Sequence, residues 1–322
     1  MKRRLRSDAT MALLLGAAAI GAAVLERRRP SRQRPLRSAR QLPRPLALPG
    51  GEEKTHIEAA RRFNHSSSLL ALSVLADSGI EHYRGSFKNP AMFVPLVSAT
   101  LSFFAGLHGG HDRRAASHPV RHSIYTFAAV AGLAGTGFHL YNVTKRTGGW
   151  SWNNVFYAAP LGAPTALLLS GGLGAIGERL RDQPADEPRL LGMPAGRALA
   201  LAVAAGLLGT VGEVGLLHFR GAFQHPAMYA PVIIPPMTAA LMAATAFSHP
   251  QPRPMTRWWL KLTTWLGLIG VAFHARGIAR CQGGWRNWSQ NVLSGPPLPA
   301  PPSFSALALA GLAALRLRQT EK

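Results

Sequence analysis

The chain has 322 residues, 47% of them hydrophobic and 16% charged, a charge content below that of ordinary soluble proteins. Lys and Arg outnumber Asp and Glu 36 to 14, a net charge of +22. The arginines lie between apolar blocks and no nucleic-acid motif accompanies them, so the basic balance points to membrane orientation and anionic lipid headgroups, with no nucleic acid as partner. The single cysteine, Cys281, excludes an intramolecular disulfide framework, a CxxCH haem attachment, a Cys-rich zinc site and a cysteine-ligated iron–sulfur cluster.

Mean hydropathy is only +0.07 because basic segments dilute it. Read locally, the apolar residues form blocks of about 17–25 residues, the length that crosses a bilayer core. The predicted fold is all-α: a polytopic integral membrane protein of two tandem four-helix transmembrane repeats plus an N-terminal hydrophobic anchor. Residues 1–25 read as a signal-anchor-like helix, with MKRRLR preceding an apolar run from Met11 to Leu25. Glu26 leads into Arg27, Arg28 and Arg29, a poor cleavage site, so the anchor is expected to stay. Residues 26–62 form a basic Arg/Pro-rich linker, expected to be extended or disordered.

Eight further blocks follow, near 66–84, 91–109, 122–143, 155–177, 197–218, 227–247, 258–279 and 296–316. GPPLPAPPSF delays the last, whose helix is expected to begin near Ser303. An internal repeat organises them. GIEHYRGSFKNPAMFVP (79–95) aligns without gaps to GLLHFRGAFQHPAMYAP (215–231), with nine of 17 positions identical. GTGFHLYNVTKRTGGWSWNNV (135–155) likewise matches GVAFHARGIARCQGGWRNWSQNV. The expected division is repeat 1 at 63–182, a loop at 183–196 and repeat 2 at 197–322.

Four helices per copy is an even number, which predicts parallel repeats about an axis along the membrane normal. Arg113, Arg114, Arg121, Arg179, Arg181, Arg253 and Arg257 share one end with the basic linker. The positive-inside rule makes that end cytoplasmic and the opposite, His/GGW end external, in a multi-pass protein of a bacterial-type inner membrane.

The candidate site rests on repeated polar residues. His82 matches His218, and His139 matches His274. Neutral imidazole binds haem iron or a transition metal, and helix bundles build such sites from facing helices. His82/His139 and His218/His274 are therefore candidate axial pairs for haem b, or metal ligands. Arg84 and Arg220 follow each first histidine by two residues and suit a haem propionate or a lipid phosphate. Asp77 matches Glu213 five residues before the histidine, and a carboxylate there can orient a ligating histidine, carry protons or pair with an arginine. Glu81 has no acidic counterpart, since Leu217 stands in its place. The F-x-x-P-A-M stretches read as shaped turns. Trp150, Trp152, Trp285 and Trp288 read as markers of headgroup depth, beside Asn154 and Asn291. His108, His111, His118 and His122 read as a solvated cytoplasmic loop, and His225 replaces Asn89 without symmetry. HExxH, Walker A, GxSxG and zinc-ligand spacings are all missing from the sequence.

In helix count and histidine placement the four-helix unit resembles the general class of membrane cytochrome b subunits. The resemblance implies electron transfer to or from quinone, with an external dehydrogenase subunit as partner; any enzymatic role would be that of an oxidoreductase membrane subunit. Two alternatives stand beside it. One is a small-molecule transporter or channel at the repeat interface, with Asp77 and Glu213 as polar gates. The other is a membrane scaffold or assembly protein without a cofactor.

Overall fold

A computed structural model describes residues 51–157, 161–184 and 187–321. The predicted anchor lies outside the described residues, as does the linker up to residue 50. From Gly51 the chain is helical, so residues 51–62 are not extended as expected. They open α1 (Gly51–Arg84), a 34-residue helix. At 1.5 Å per residue it is about 51 Å long, more than a bilayer core requires. Then come α2 (Val94–His111), α3 (Pro119–Thr144), short α4 (Trp152–Tyr157), α5 (Gly162–Arg181), α6 (Ala195–Arg220), α7 (Ala230–Phe247), α8 (Pro254–Arg280), short α9 (Trp288–Ser294) and α10 (Pro302–Thr320).

Of the two predicted fourth blocks, the first is divided and the second is one helix. The block at 155–177 splits into α4 and α5, and α10 starts at Pro302, one residue before Ser303. Proline explains the starts. Without an N–H it is tolerated in the first helical turn, where Pro119, Pro254 and Pro302 each stand. A two-residue antiparallel ladder, β1 (Arg189–Leu190) with β2 (Met193–Pro194), joins α5 to α6.

The chain re-enters α2 and α7 through turns of one conformation. Ser86 and Phe87 have φ of 56° and 44°; Ala222 and Phe223, 136 positions on, have 55° and 45°. These are left-handed values in non-glycine residues, costly unless their surroundings enforce them. Two aromatic stacks do so, Phe87 on Phe93 at 4.5 Å and Phe223 on Tyr229 at 4.6 Å. A 3₁₀ turn follows each, Pro90–Phe93 and Pro226–Tyr229. Its first N–H is capped by the Asn89 side chain in one case and by His225 Nδ1 in the other, at 2.9 and 3.1 Å. His225 thus does the work of Asn89, although the two residues look unrelated in sequence.

Helices α1, α5 and α10 occupy the interior. α1 packs on α2, α5 and α10; α5 also packs on α3, and α10 on α6 and α8. Phe63, Leu70, Leu199, Leu207, Leu260 and Phe304 belong to one continuous core. Buried hydroxyls tie helices together within it. Ser67 Oγ donates to the Ser170 carbonyl at 2.7 Å, Ser170 Oγ returns a bond to Ser67 O at 2.9 Å, and Ser73 donates to Pro299 O. Small residues bring α3 against α5, where a Cβ on Gly171 would lie 2.3 Å from Ala129 N and one on Gly132 2.3 Å from Leu168 N.

Four helices are long and apolar enough to cross a membrane, spanning Pro90–His111, Ala195–Arg220, Pro226–Phe247 and Pro254–Arg280. Eight spans were expected. The other four long helices are α1, α3, α5 and α10; of these, α1 and α5 face other helices and carry Asn64, His65, Asp77 and Glu178, which lower their hydropathy. The four apolar spans lie outside them, and only 17% of the best window of α8 is buried.

Gly171→Leu is expected to separate α3 from α5, because the backbone it meets cannot retreat as a flexible side chain would. Fluorescence-detected size exclusion should show loss of the monodisperse peak. A variant with an unchanged thermal midpoint would contradict this packing.

Candidate functional site

The predicted histidines are held by backbone. His82 Nδ1 is 2.6 Å from the Met92 carbonyl, His218 Nδ1 is 2.8 Å from Met228 O, and His274 Nδ1 is 2.7 Å from Pro297 O. A carbonyl only accepts, so Nδ1 carries the proton in all three, and the lone pair of the neutral ring sits on Nε2. Backbone carbonyls therefore do for these rings what Asp77 and Glu213 were expected to do. All four predicted histidines are half-buried. His218 and His274 lie within electrostatic range of each other. His139 also has an interaction with its surroundings.

The two predicted carboxylates meet one another instead of the histidines. Asp77 lies within electrostatic range of both Glu81 and Glu213. Glu213 accepts a hydrogen bond from the Gly162 backbone at the start of α5, where the free N–H groups and helix dipole favour an anion. A Cβ on Gly162 would lie 1.6 Å from Glu213 Oε2, so a larger residue there would displace the carboxylate from this position. Glu81 and Glu213 thus belong to one acidic group with Asp77, although Glu81 breaks the sequence symmetry.

Arg84 and Arg220 differ. Arg84 Nη1 pairs with Glu81 at 2.7 Å, one turn away, and not with Asp77. Arg220 lies over the rings of Phe156 and Tyr157, at 5.7 and 5.5 Å. Asn154 Nδ2 donates to the Thr147 and Gly149 carbonyls, and Asn291 Nδ2 to Gln282 and Gly284. These amides hold the GGW turns closed. The four nearby tryptophans are 50–71% exposed, as headgroup markers would be. Among the described residues, no group of three or more His, Cys, Asp or Glu side chains has the arrangement of a metal site.

The opposite end holds a charge cluster that sequence reading missed. Glu178 on α5 is fully buried and accepts two bonds from Arg121 on α3, Nε to Oε1 at 3.0 Å and Nη2 to Oε2 at 2.9 Å. Arg121 Nη1 also reaches Asp112 Oδ2 at 2.8 Å, and the His118 N–H donates to Glu178 at 2.7 Å. Tyr125 donates to Asn64 Oδ1, and Asn64 Nδ2 faces Glu178 at 3.4 Å. Arg181 donates to the carbonyls of Gly109, Asp112 and Arg114 at 2.8, 3.1 and 2.8 Å. Arg121 and Arg181 had been read as exposed orientation charges; their exposures are 2% and 1%. The histidines of this end are not merely solvated. His108 packs edge-on to His118 at 5.7 Å and His111 to His65 at 5.6 Å.

A matching arginine serves the second half. Arg318 donates to Thr245 O and Ser248 O at 3.4 and 2.5 Å, carbonyls 136 positions beyond those of Gly109 and Asp112. It also pairs with Glu321 at 2.7 Å, which caps α6 through the Gly196 N–H at 2.5 Å. Arg316 then joins Glu58 on α1 at 2.6 Å.

Taken together, this is an all-α membrane protein with polar constellations at both ends of its helices. Comparison with protein-family models, with curated proteins and with solved structures gives no match.

Arg121→Met removes the main partner of the buried Glu178 carboxylate and leaves it only Arg181 Nε at 3.4 Å as a counter-charge; the expected loss is about 3 kcal/mol, whereas Arg121→Met with Glu178→Leu should cost less than the single change. Thermal unfolding of the three proteins tests this; a double variant worse than the single would refute it. Asp112 adds a pH signature. Burial raises its pKa, but hydrogen bonds from Arg114 and Arg121 outweigh that and hold the carboxyl well below the usual carboxylate range. With the folded value below the unfolded one, its contribution is complete at neutral pH and declines from about pH 5 into strong acid. Asp112→Asn should flatten that acid limb of a midpoint-against-pH curve.

Proposed function

We propose that the chain is two tandem four-helix copies in parallel orientation, and that it holds haem b or a metal ion to pass electrons to or from quinone in a bacterial-type inner membrane. One observation carries this reading. The Nδ1 hydrogen bonds of His82, His218 and His274 to backbone carbonyls leave Nε2 as the coordinating atom. A ligating histidine is usually held in this way, since the bond at Nδ1 fixes tautomer and ring direction. His218 and His274 form the better candidate pair, being in electrostatic range of each other and on the half whose arginine, Arg220, is not paired with a carboxylate among the described residues. Haem iron bound there would supply one-electron chemistry. The protein's share is to orient the two rings and offer Arg220 to a propionate. An external dehydrogenase subunit would be the redox partner.

A second reading is favoured by the same bonds: each histidine pins a turn to its helix, and the protein is a scaffold without a cofactor. A satisfied buried hydrogen bond needs no ligand to justify it.

The absorption spectrum of the purified protein separates them. Haem ligation is expected to give a Soret band at roughly 410–430 nm, lost in His218→Ala and His274→Ala but kept in His225→Ala, which only uncaps a turn. Colourless, metal-free protein would end the cofactor reading. If His82→Ala and His218→Ala then each lowered stability by about 1–3 kcal/mol, the pinning reading would stand.

A further inference from the structure

The two matched arginines at the GGW end have opposite surroundings. Arg84 is neutralised by Glu81 at 2.7 Å. Arg220, on the second half, is held over Phe156 and Tyr157 of the first half, and Phe156 also packs edge-on to Phe219 at 5.8 Å. Ring faces orient a guanidinium without cancelling its charge. Arg220 is exposed, and none of the described ion pairs includes it. It therefore stands at the seam between the halves as a positioned, uncompensated cation.

The loops around it carry charge of one sign, the acidic group of Asp77, Glu81 and Glu213 lying on helices α1 and α6. The loops at 85–93, 145–161, 221–229 and 281–301 contain no Asp or Glu, while Lys88, Lys145, Arg146 and Arg286 stand in them. At the opposite end Arg121, Arg181 and Arg318 are buried against carboxylates and carbonyls, while Arg113, Arg114, Arg179 and Arg257 are exposed. Four exposed tryptophans share the end that holds Arg220. Indole rings settle at the headgroup level, so these cations lie at the depth of lipid phosphates and not out in water.

We propose that this end binds the phosphate of an anionic glycerophospholipid at the seam, with Arg220 as its principal cation and the tryptophans setting its depth. Charge complementarity selects an anionic over a zwitterionic lipid, and the aromatic depth selects a lipid over a soluble acidic protein.

The test uses the full chain in neutral detergent, titrated with phosphatidylglycerol or phosphatidylcholine, and reads retained lipid by native mass spectrometry and the thermal midpoint. Phosphatidylglycerol should be retained and should raise the midpoint, with phosphatidylcholine doing neither. Arg220→Gln should weaken retention about five-fold, the ratio equivalent to about 1 kcal/mol for one cation at a membrane surface. Arg84→Gln should change it little, and Arg220→Lys should keep most of it. Should Arg220→Gln not fold, the paired change Lys145→Gln with Arg146→Gln must lower retention for the proposal to stand. Equal responses to the two lipids, or equal losses in Arg84→Gln and Arg220→Gln, would overturn it. So would the same midpoint shift with inorganic phosphate, which marks a free-anion site. Binding of poly-glutamate without response to phosphatidylglycerol would mean an acidic protein partner instead.

Discussion

Arg181 and Arg318 each reach from the last long helix of one half to the carbonyls that end an earlier helix, α2 and α7 respectively. The need they answer governs the whole molecule. A helix ends with unpaired carbonyls and begins with unpaired N–H groups, and near a membrane core little water is available to satisfy them. In this chain side chains supply the missing partners. Arginines close helix C-termini, Glu321 and Glu213 meet helix N-termini, and asparagines or His225 cap the turns. Because each partner comes from a different element, satisfying the ends also fixes which helices are neighbours.

The halves meet this need with different chemistry. The first surrounds its arginine with Glu178, Asp112 and Arg121, an ion network buried in the helix ends. Such a network tolerates the loss of one member badly, since the remaining buried charges are left with fewer partners and little water. In the second half Ser248 and Leu315 stand where Asp112 and Glu178 would, and Thr238 bonds Thr263 at 2.7 Å. Hydroxyl pairs are weaker and less sensitive to pH. The first half thus adds a buried ion network to the hydroxyl pair of Ser67 and Ser170, and the second combines hydroxyl pairs with the buried ion pair of Arg318 and Glu321.

The same constraint shapes what the histidines can do. Their Nδ1 atoms satisfy carbonyls at the turns and cannot also take a ligand, so coordination is confined to Nε2. Structural pinning and ligand orientation are then one geometry, and the two functional readings diverge only at the second nitrogen. Arg220 is a parallel case. Its ring contacts fix its direction while leaving its charge available, whether to a propionate or to a lipid phosphate.

Class and helix starts were legible in the amino-acid order because they depend on local properties: apolar run length and the prolines that start helices. The matched spacing of His82 and His218 was equally plain, and so was the late start of the last helix. Partners across tens of residues were not. Arg121 and Arg181 looked like surface charge, since nothing local distinguishes a solvated arginine from one 57 or 72 residues away from its acceptor. His225 and Asn89 looked unrelated, because capping depends on an acceptor's position and not on residue type. Asp77 was aligned with Glu213, but the proximity of Glu81 to Asp77, and of Gly162 to Glu213, required the helices to be packed. Run length and composition determined that this chain enters a membrane as helices. Tertiary structure alone decided which polar groups face one another, because in a bundle contact depends on facing surfaces and not on distance along the chain.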